Sequence, residues 1–301
     1  MPDHITVVPA STRTGRETIR ALLASESKPC VRGIYRDTSK APTDFIANPN
    51  FQAAPGDIST GNFLDFSRSD AVFYVPPGIY DGTDQGEWAA RIAKNVKNSL
   101  RDAPNVKKLV LLSALGCQHE HGIGLIRLNH ISETILKDAA PEVVIIRPAW
   151  FQEEFASWLD MAQSHPPVIH SWITPLDYKV PLVSIKDVGE CCAKNLLTET
   201  TNPNLHILKV FGPRMYSALD IKYAVDTVIG KEVELKGIEK GQLAAYFANQ
   251  IPERYLQKYV DLATAFLPGG IGAGDLVYDK FTYKGQREIV DTLYQLYGKP
   301  A

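Results

Sequence analysis

The stretch from His4 to Leu23, HITVVPASTRTGRETIRALL, constrains the fold more than any other part of the chain. Ile5, Val7 and Val8 form a short β-branched run suited to a buried strand. Ile19, Leu22 and Leu23 then recur at helical spacing with polar residues between them. A strand that turns tightly into a helix leaves unpaired backbone N–H groups at the helix start, where they attract phosphate. Set against the spacing G-x-x-G-x-x-G, the three glycine positions fall on Pro9, Thr12 and Gly15, and only the last is glycine. Pro9 has no N–H to give, and Thr12 puts a branched side chain where backbone would approach a phosphate. Gly15 still permits close helix-to-strand packing. Two readings stay open: the Ser11, Thr12 and Thr14 hydroxyls and Arg13 replace the lost donors, or the turn keeps the fold without the ligand.

The rest of the chain extends the pattern. Strands are expected at 30–35, 51–54, 71–75, 108–113 and 143–146. Helices are expected at about 84–100 and 125–137, with a helix-like turn through Phe63 and Leu64. Alternation of this kind calls for a parallel sheet covered on both faces, an α/β Rossmann-like doubly wound domain over residues 1–150. Arg36 closes the second strand about twenty residues past the turn. In such a unit an acid at that place favours NAD, whereas Arg accommodates the 2′-phosphate of NADP(H), so Arg36 with Lys40 points to NADP(H). Asp57 follows the third strand and Pro76 and Pro77 the fourth, at the sheet edge where ligands bind, and all three are candidate cofactor contacts.

Beyond Trp150, strands at 168–172, 181–185 and 205–211 and helices at 187–197 and 217–229 lead into helices at 240–249, 252–266 and 285–297. A smaller, mostly helical substrate lobe over 151–301, packed against the first domain, is the expectation. The glycines from Gly269 to Gly274 lack a preceding strand and a Lys-Ser or Lys-Thr ending, and read as a connector.

With 301 residues, 45% of them hydrophobic, the chain can bury a substantial core. A net charge of −2 with interspersed signs gives no basic field for nucleic acid. No apolar run approaches a membrane span, and Asp3 and Pro9 break up any signal-peptide pattern, so a cytoplasmic protein is expected. The cysteines, Cys30, Cys117, Cys191 and Cys192, fit neither a zinc site nor a disulfide framework. His119 and His121 flank Glu120 without a third ligand nearby, and no metal is expected.

PASTRTG, YRDTSK, GDIS, NVKKLVLLSA and IIRPAWFQEEF, in this order and spacing, resemble the NmrA-like family of atypical short-chain dehydrogenases/reductases. VFYVPPGIYD, VKKLVLLSA and RPAWFQEEF are also similar to the ergot-alkaloid reductases of the agroclavine dehydrogenase type. The resemblance implies a Rossmann-like fold, NADP(H), and a fungal specialised-metabolism enzyme for a bulky apolar small molecule. It also implies that Ser113 faces the nicotinamide and that Glu133 matches a family Glu. The helix GLIRLNHISETILK departs from the usual short-chain dehydrogenase pattern: it has no tyrosine, and Asn129 stands where a Lys is common. Carbonyl reduction by a Tyr and Lys pair is therefore not expected, while hydride delivery to an iminium or conjugated C=C needs little acid assistance. Ser113, Asn129 and His130 are the candidate catalytic residues, and Tyr80, Trp150, Phe151, Trp172 and Tyr178 the candidate pocket lining. The expected function is an NADPH-dependent reductase. Alternatives are a cofactor-independent isomerase or cyclase on the same fold, because both phosphate turn and redox acid are altered, and an NADP-sensing regulator without turnover. Oligomeric state is open.

Overall fold

The computed structural model describes residues 2–199 and 204–298. In chain order the first half holds β1 (His4–Val8), α1 (Arg13–Leu23), β2 (Cys30–Tyr35), α2 (Thr43–Ile46), β3 (Phe51–Pro55), β4 (Ala71–Tyr74), α3 (Gln85–Arg101), β5 (Lys108–Leu112), α4 (Arg127–Leu136) and β6 (Glu142–Pro148). Then come β7 (Trp150–Phe151), α5 (Ala156–Gln163), β8 (Val168–Ser171), β9 (Val180–Val183), α6 (Ile185–Leu197), β10 (Leu205–Phe211), β11 (Met215–Tyr216) and α7 (Ala218–Ile229). β12 (Glu234–Gly237), α8 (Leu243–Ala248), α9 (Glu253–Ala265), β13 (Thr282–Lys284) and α10 (Ile289–Tyr297) complete the order.

The main sheet runs β13-β10-β6-β5-β4-β1-β2-β3, with parallel pairing from β6 through to β3. The strand order reverses between β1 and β4, which opens a crevice at their carboxyl ends. Because side chains alternate along a strand, the register lines up Val8, Tyr74, Leu111 and Ile145 on one face, and Val72, Leu109 and Val143 beside them. Against this row α3 packs Trp88, Ile92, Ala93, Val96 and Leu100, at the 3.6-residue period that makes one face of a helix apolar. The doubly wound Rossmann-like α/β fold is present.

By their internal contacts the residues form two units, neither contiguous in sequence. The first comprises Met1–Cys117, Arg127–Arg147 and Val188–Lys209, and the second Gln118–Ile126, Pro148–Asp187 and Val210–Ala301. In the first, a Cβ at Gly189 would lie 2.7 Å from the Glu17 backbone, so α6 meets α1 backbone to backbone. The second unit has its own core, with Phe155, Trp158, Ile169, Leu182, Tyr216, Ile221, Val225 and Leu293 among its buried residues. Besides its helices it carries short strands that the sequence pattern does not announce, β11 paired with β9 and β12 paired with β8.

Several local expectations are corrected. Phe63 lies in a turn and Leu64 in irregular chain, not in a helical turn; Phe63 has φ of 56° and is exposed. The helix expected from Gly285 begins at Ile289, because the Gln286 and Arg287 N–H groups bond the Asp187 carboxylate instead of continuing a helix. The stretch 240–249 is a 3-10 turn followed by the one-and-a-half-turn α8.

Candidate functional site

The turn after β1 is organised by Thr12, the N-cap of α1. Its backbone is extended (φ −67°, ψ 153°), its Oγ1 accepts the Gly15 N–H at 3.1 Å, and its own hydroxyl hydrogen goes to the Pro9 carbonyl at 3.0 Å. A Cβ on Gly15 would sit 2.6 Å from Thr12 Oγ1 and 2.8 Å from Pro9 O, so this closed turn requires glycine there. The Ala10 N–H is held by Ile34 O at 2.9 Å, which ties the turn to β2.

Beside the turn lies a cavity of about 200 Å³, enclosed on most sides and built wholly from the first unit. Val8, Pro9, Ser11 and Thr12 line it from β1 and its turn, and Ile34 and Arg36 from the end of β2. Gly56, Asp57, Ile58 and Ser59 come from the loop after β3, Pro77, Gly78 and Ile79 from the loop after β4, and Trp88 from α3. The loops are fixed by their own hydrogen bonds. Asp57 Oδ1 accepts from Ser59 N and Oγ at 2.8 and 2.6 Å, Trp88 Nε1 donates to Pro77 O at 2.8 Å, and Gln85 bonds Ile79. At the crevice where the strand order reverses, apolar walls thus meet one cation and one carboxylate. The volume falls short of the roughly 300–1,000 Å³ of a complete small-molecule site, and suits one end of a dinucleotide rather than all of it.

Of the expected cofactor contacts, Pro9, Ser11, Thr12, Arg36, Asp57 and Pro77 come together in this cavity. Arg13, Thr14, Gly15, Lys40 and Pro76 do not line it; Thr14, Gly15 and Pro76 are buried, and Lys40 ends the exposed 3-10 turn Thr38–Lys40. Ile58, Ser59 and Trp88 line the cavity as well. Their lining role depends on loops and a helix packing together, and no motif spacing signals it.

A second constellation joins β5, α4 and β6. Glu133, buried on α4, takes a two-pronged ion pair from Arg147 (Nε to Oε1 2.9 Å, Nη2 to Oε2 2.6 Å), and the Ser113 hydroxyl donates to Glu133 Oε1. The Ser113 proton is therefore committed to this carboxylate. Cys117 lies beside the network, its thiol pushed up to about 12 by burial and by the Glu133 charge. His130, half-buried, bonds the Cys117 carbonyl through Nδ1 at 2.9 Å. A carbonyl only accepts, so Nδ1 carries the proton of this contact, and Nε2 is the ring nitrogen turned away from it. Asn129 and Glu133 are one helical turn apart on α4, with His130 beside them.

In the second unit Trp150 packs against Trp172 (centroids 5.4 Å apart) and edge-on to Phe266 (4.8 Å), and the Tyr178 hydroxyl donates to Phe266 O at 3.1 Å. Trp150, Trp172 and Tyr178 therefore form one half-buried aromatic cluster over that core. Phe151 precedes the 3-10 turn Gln152–Phe155 and does not share in the ring contacts given above. Tyr80 belongs to the first unit and is 61% exposed. His119 is paired with Asp275 at 2.9 Å, while His121 is exposed next to Glu120. Among the described residues no three or more His, Cys, Asp or Glu side chains group as metal ligands, and no helix is long and apolar enough to cross a membrane.

A Rossmann-type α/β unit with a cavity at its strand-order reversal defines the class of the fold. No family model matches the chain. Agroclavine dehydrogenase of Claviceps purpurea is 27% identical over 176 residues, 58% of this chain and 55% of that protein, so the chain spans about half the length of the curated relatives it matches. Among solved structures, the Escherichia coli NADPH-dependent quinone oxidoreductase complexed with NADPH superposes with a TM-score of 0.75 at 15% identity, over 98% of this chain and all of that one. The Citrobacter sp. triphenylmethane reductase complexed with NADP(H) gives 0.69 at 17% identity, over 99% and 96%. NmrA, a negative transcriptional regulator, gives 0.70 at 14%, over 98% and 95%. These likenesses establish the fold across nearly the whole chain, one it has in common with NmrA and with the two reductases.

Proposed function

We propose that the protein is an NADPH-dependent oxidoreductase that reduces an iminium or conjugated C=C in an apolar specialised metabolite of a fungal cytoplasm. The observation that carries the reading is the cavity at the β1/β4 reversal with Arg36 at its β2 edge. Its residues fit the adenosine end of NADP(H): Ile58 and Trp88 offer apolar walls for adenine, Asp57 Oδ2 is left to accept from an amine, and Arg36 offers a charge-assisted donor set for a 2′-phosphate. When bound, the cofactor supplies a hydride. His130 Nε2, turned away from the Cys117 carbonyl, is the group we assign to proton movement. Asn129 is assigned to hydrogen bonding with substrate, and Ser113 to holding Glu133 in place. The aromatic cluster of Trp150, Trp172 and Tyr178, with Phe151, is assigned to an apolar substrate. Support also comes from the agroclavine dehydrogenase match and from the two NADP(H)-complexed reductases of like fold.

Titration with NADPH, followed by nicotinamide fluorescence and melting temperature, should give saturable binding in the micromolar range. Absence of any response at millimolar NADPH would refute the proposal. A substrate converted without NADPH to a product of equal mass would replace it with a redox-neutral isomerase or cyclase.

A further inference from the structure

Two helices of the second unit, α7 and α10, turn large apolar side chains to solvent. Inward they carry Ala218, Ile221, Ala224, Val225 and Val228 on α7, and Ile289, Thr292 and Leu293 on α10, as core-facing helices must. On the outward face the same period calls for charged or small polar residues, and Lys or Glu there would also favour the helix more than tyrosine does. The chain instead sets Leu219 and Tyr223 one turn apart on α7, 48% and 75% exposed, and Tyr294 and Tyr297 on α10, 50% and 46% exposed. These side chains form one patch: the Tyr294 hydroxyl donates to Thr227 O at 3.2 Å, and Thr227 stands one turn beyond Tyr223 on α7. Single exposed rings are ordinary, but three tyrosines and a leucine side by side have the composition found at the centre of protein interfaces.

We propose that this α7/α10 face is where a second copy of the chain docks. At 150–250 Å² for a whole aromatic side chain, the exposed parts of the four residues amount to roughly 400 Å² per copy, or about 800 Å² over two. That is the core of an interface, and the surrounding rim must contribute to reach the roughly 1,200 Å² of a small stable one, so the association is weak. Charge favours a like copy over a charged partner. Lys222, the residue before Tyr223, is neutralised by Asp226 at 2.6 Å and Glu232 at 3.4 Å, and an uncharged patch meets its own image without repulsion. A two-fold axis through the patch then uses every ring twice.

The test is sedimentation equilibrium of the full chain between about 1 and about 200 µM, the range in which a weak small interface forms. The average mass should rise from one chain toward two. Tyr223→Glu sets like charges against each other across the axis and should weaken self-association at least about tenfold, whereas Tyr223→Phe keeps the ring and should stay within about threefold. Phe63→Asp removes a ring that is 78% exposed in the first unit and should change nothing. Unaltered melting temperatures in dilute solution would show that the variants fold. Nitration by tetranitromethane gives a second readout: Tyr223, Tyr294 and Tyr297 should be protected at high protein concentration, while Tyr80, 61% exposed in the first unit, reacts equally at both ends of the range. A chain that stays monomeric at about 200 µM would overturn the inference and leave this face to a different partner. A dimer that Tyr223→Glu does not weaken, or whose three tyrosines stay reactive, would overturn it by placing the contact elsewhere.

Discussion

Replacing Glu133 by Gln removes one charge from the β5/α4/β6 network and leaves the shape nearly intact. The Glu133 and Arg147 side chains are 9% and 12% exposed, so solvent does little to screen the pair. Without the carboxylate, Arg147 loses both of these charged acceptors in a place that water does little to screen, and breaking a buried pair in this way costs about 3–5 kcal/mol. The Gln oxygen can still accept one of the three bonds, which places the expectation near about 3 kcal/mol. At roughly 2–4 °C per kcal/mol for chains somewhat smaller than this one, the melting temperature should fall by about 6–12 °C. Urea unfolding followed by tryptophan fluorescence measures the change as a lower midpoint at unchanged slope. The double variant Glu133→Gln, Arg147→Met should recover part of the loss, because the remaining charge goes with its partner. Since neither residue lines the cavity, NADPH affinity should stay within about twofold of the unmodified protein. A loss below about 1 kcal/mol for Glu133→Gln, or a double variant less stable than the single, would refute the claim that this ion pair holds the three elements together.

Arg36→Ala should weaken NADPH by about ten- to a hundredfold and leave NADH nearly unchanged, measured by nicotinamide fluorescence; equal losses for both would show that Arg36 acts through folding. At pH 8 iodoacetamide should label the native chain once, at exposed Cys30, because burial pushes the Cys117 and Cys191 thiols up to about 12 and raises Cys192 well above its usual value. Mass spectrometry should count four labels only after denaturation. These folded-state values lie above those of the unfolded chain. The stability they contribute is thus present below the ordinary thiol pKa of about 8.5 and is lost as pH rises beyond it, which a falling urea midpoint between about pH 8.5 and 10 would register.

What the sequence alone determined is what depends on near neighbours. The β-branched run before Pro9, the 3.6-residue period of Ile19, Leu22 and Leu23, and the apolar segments 30–35 and 205–211 place strands and helices within a residue or two of where they lie. The alternation of strands and helices makes the sheet parallel, which puts the turn after β1 and Arg36 after β2 at the same carboxyl edge. Tertiary structure decided what depends on contacts between segments distant in sequence. Ser113, Glu133 and Arg147 sit on three elements, and only packing turns them into one network that takes up the serine hydroxyl. The return of 188–209 to the first unit and the strands β11 and β12 exist because a partner strand or helix lies alongside, since two to four residues carry too little periodicity to declare themselves. Thr12 shows both halves: the sequence shows that glycine is missing, but only the folded turn reveals that the replacement spends its hydroxyl on its own backbone. Hydrogen-bond partners are chosen by geometry in the folded chain, and residue type alone does not encode that geometry.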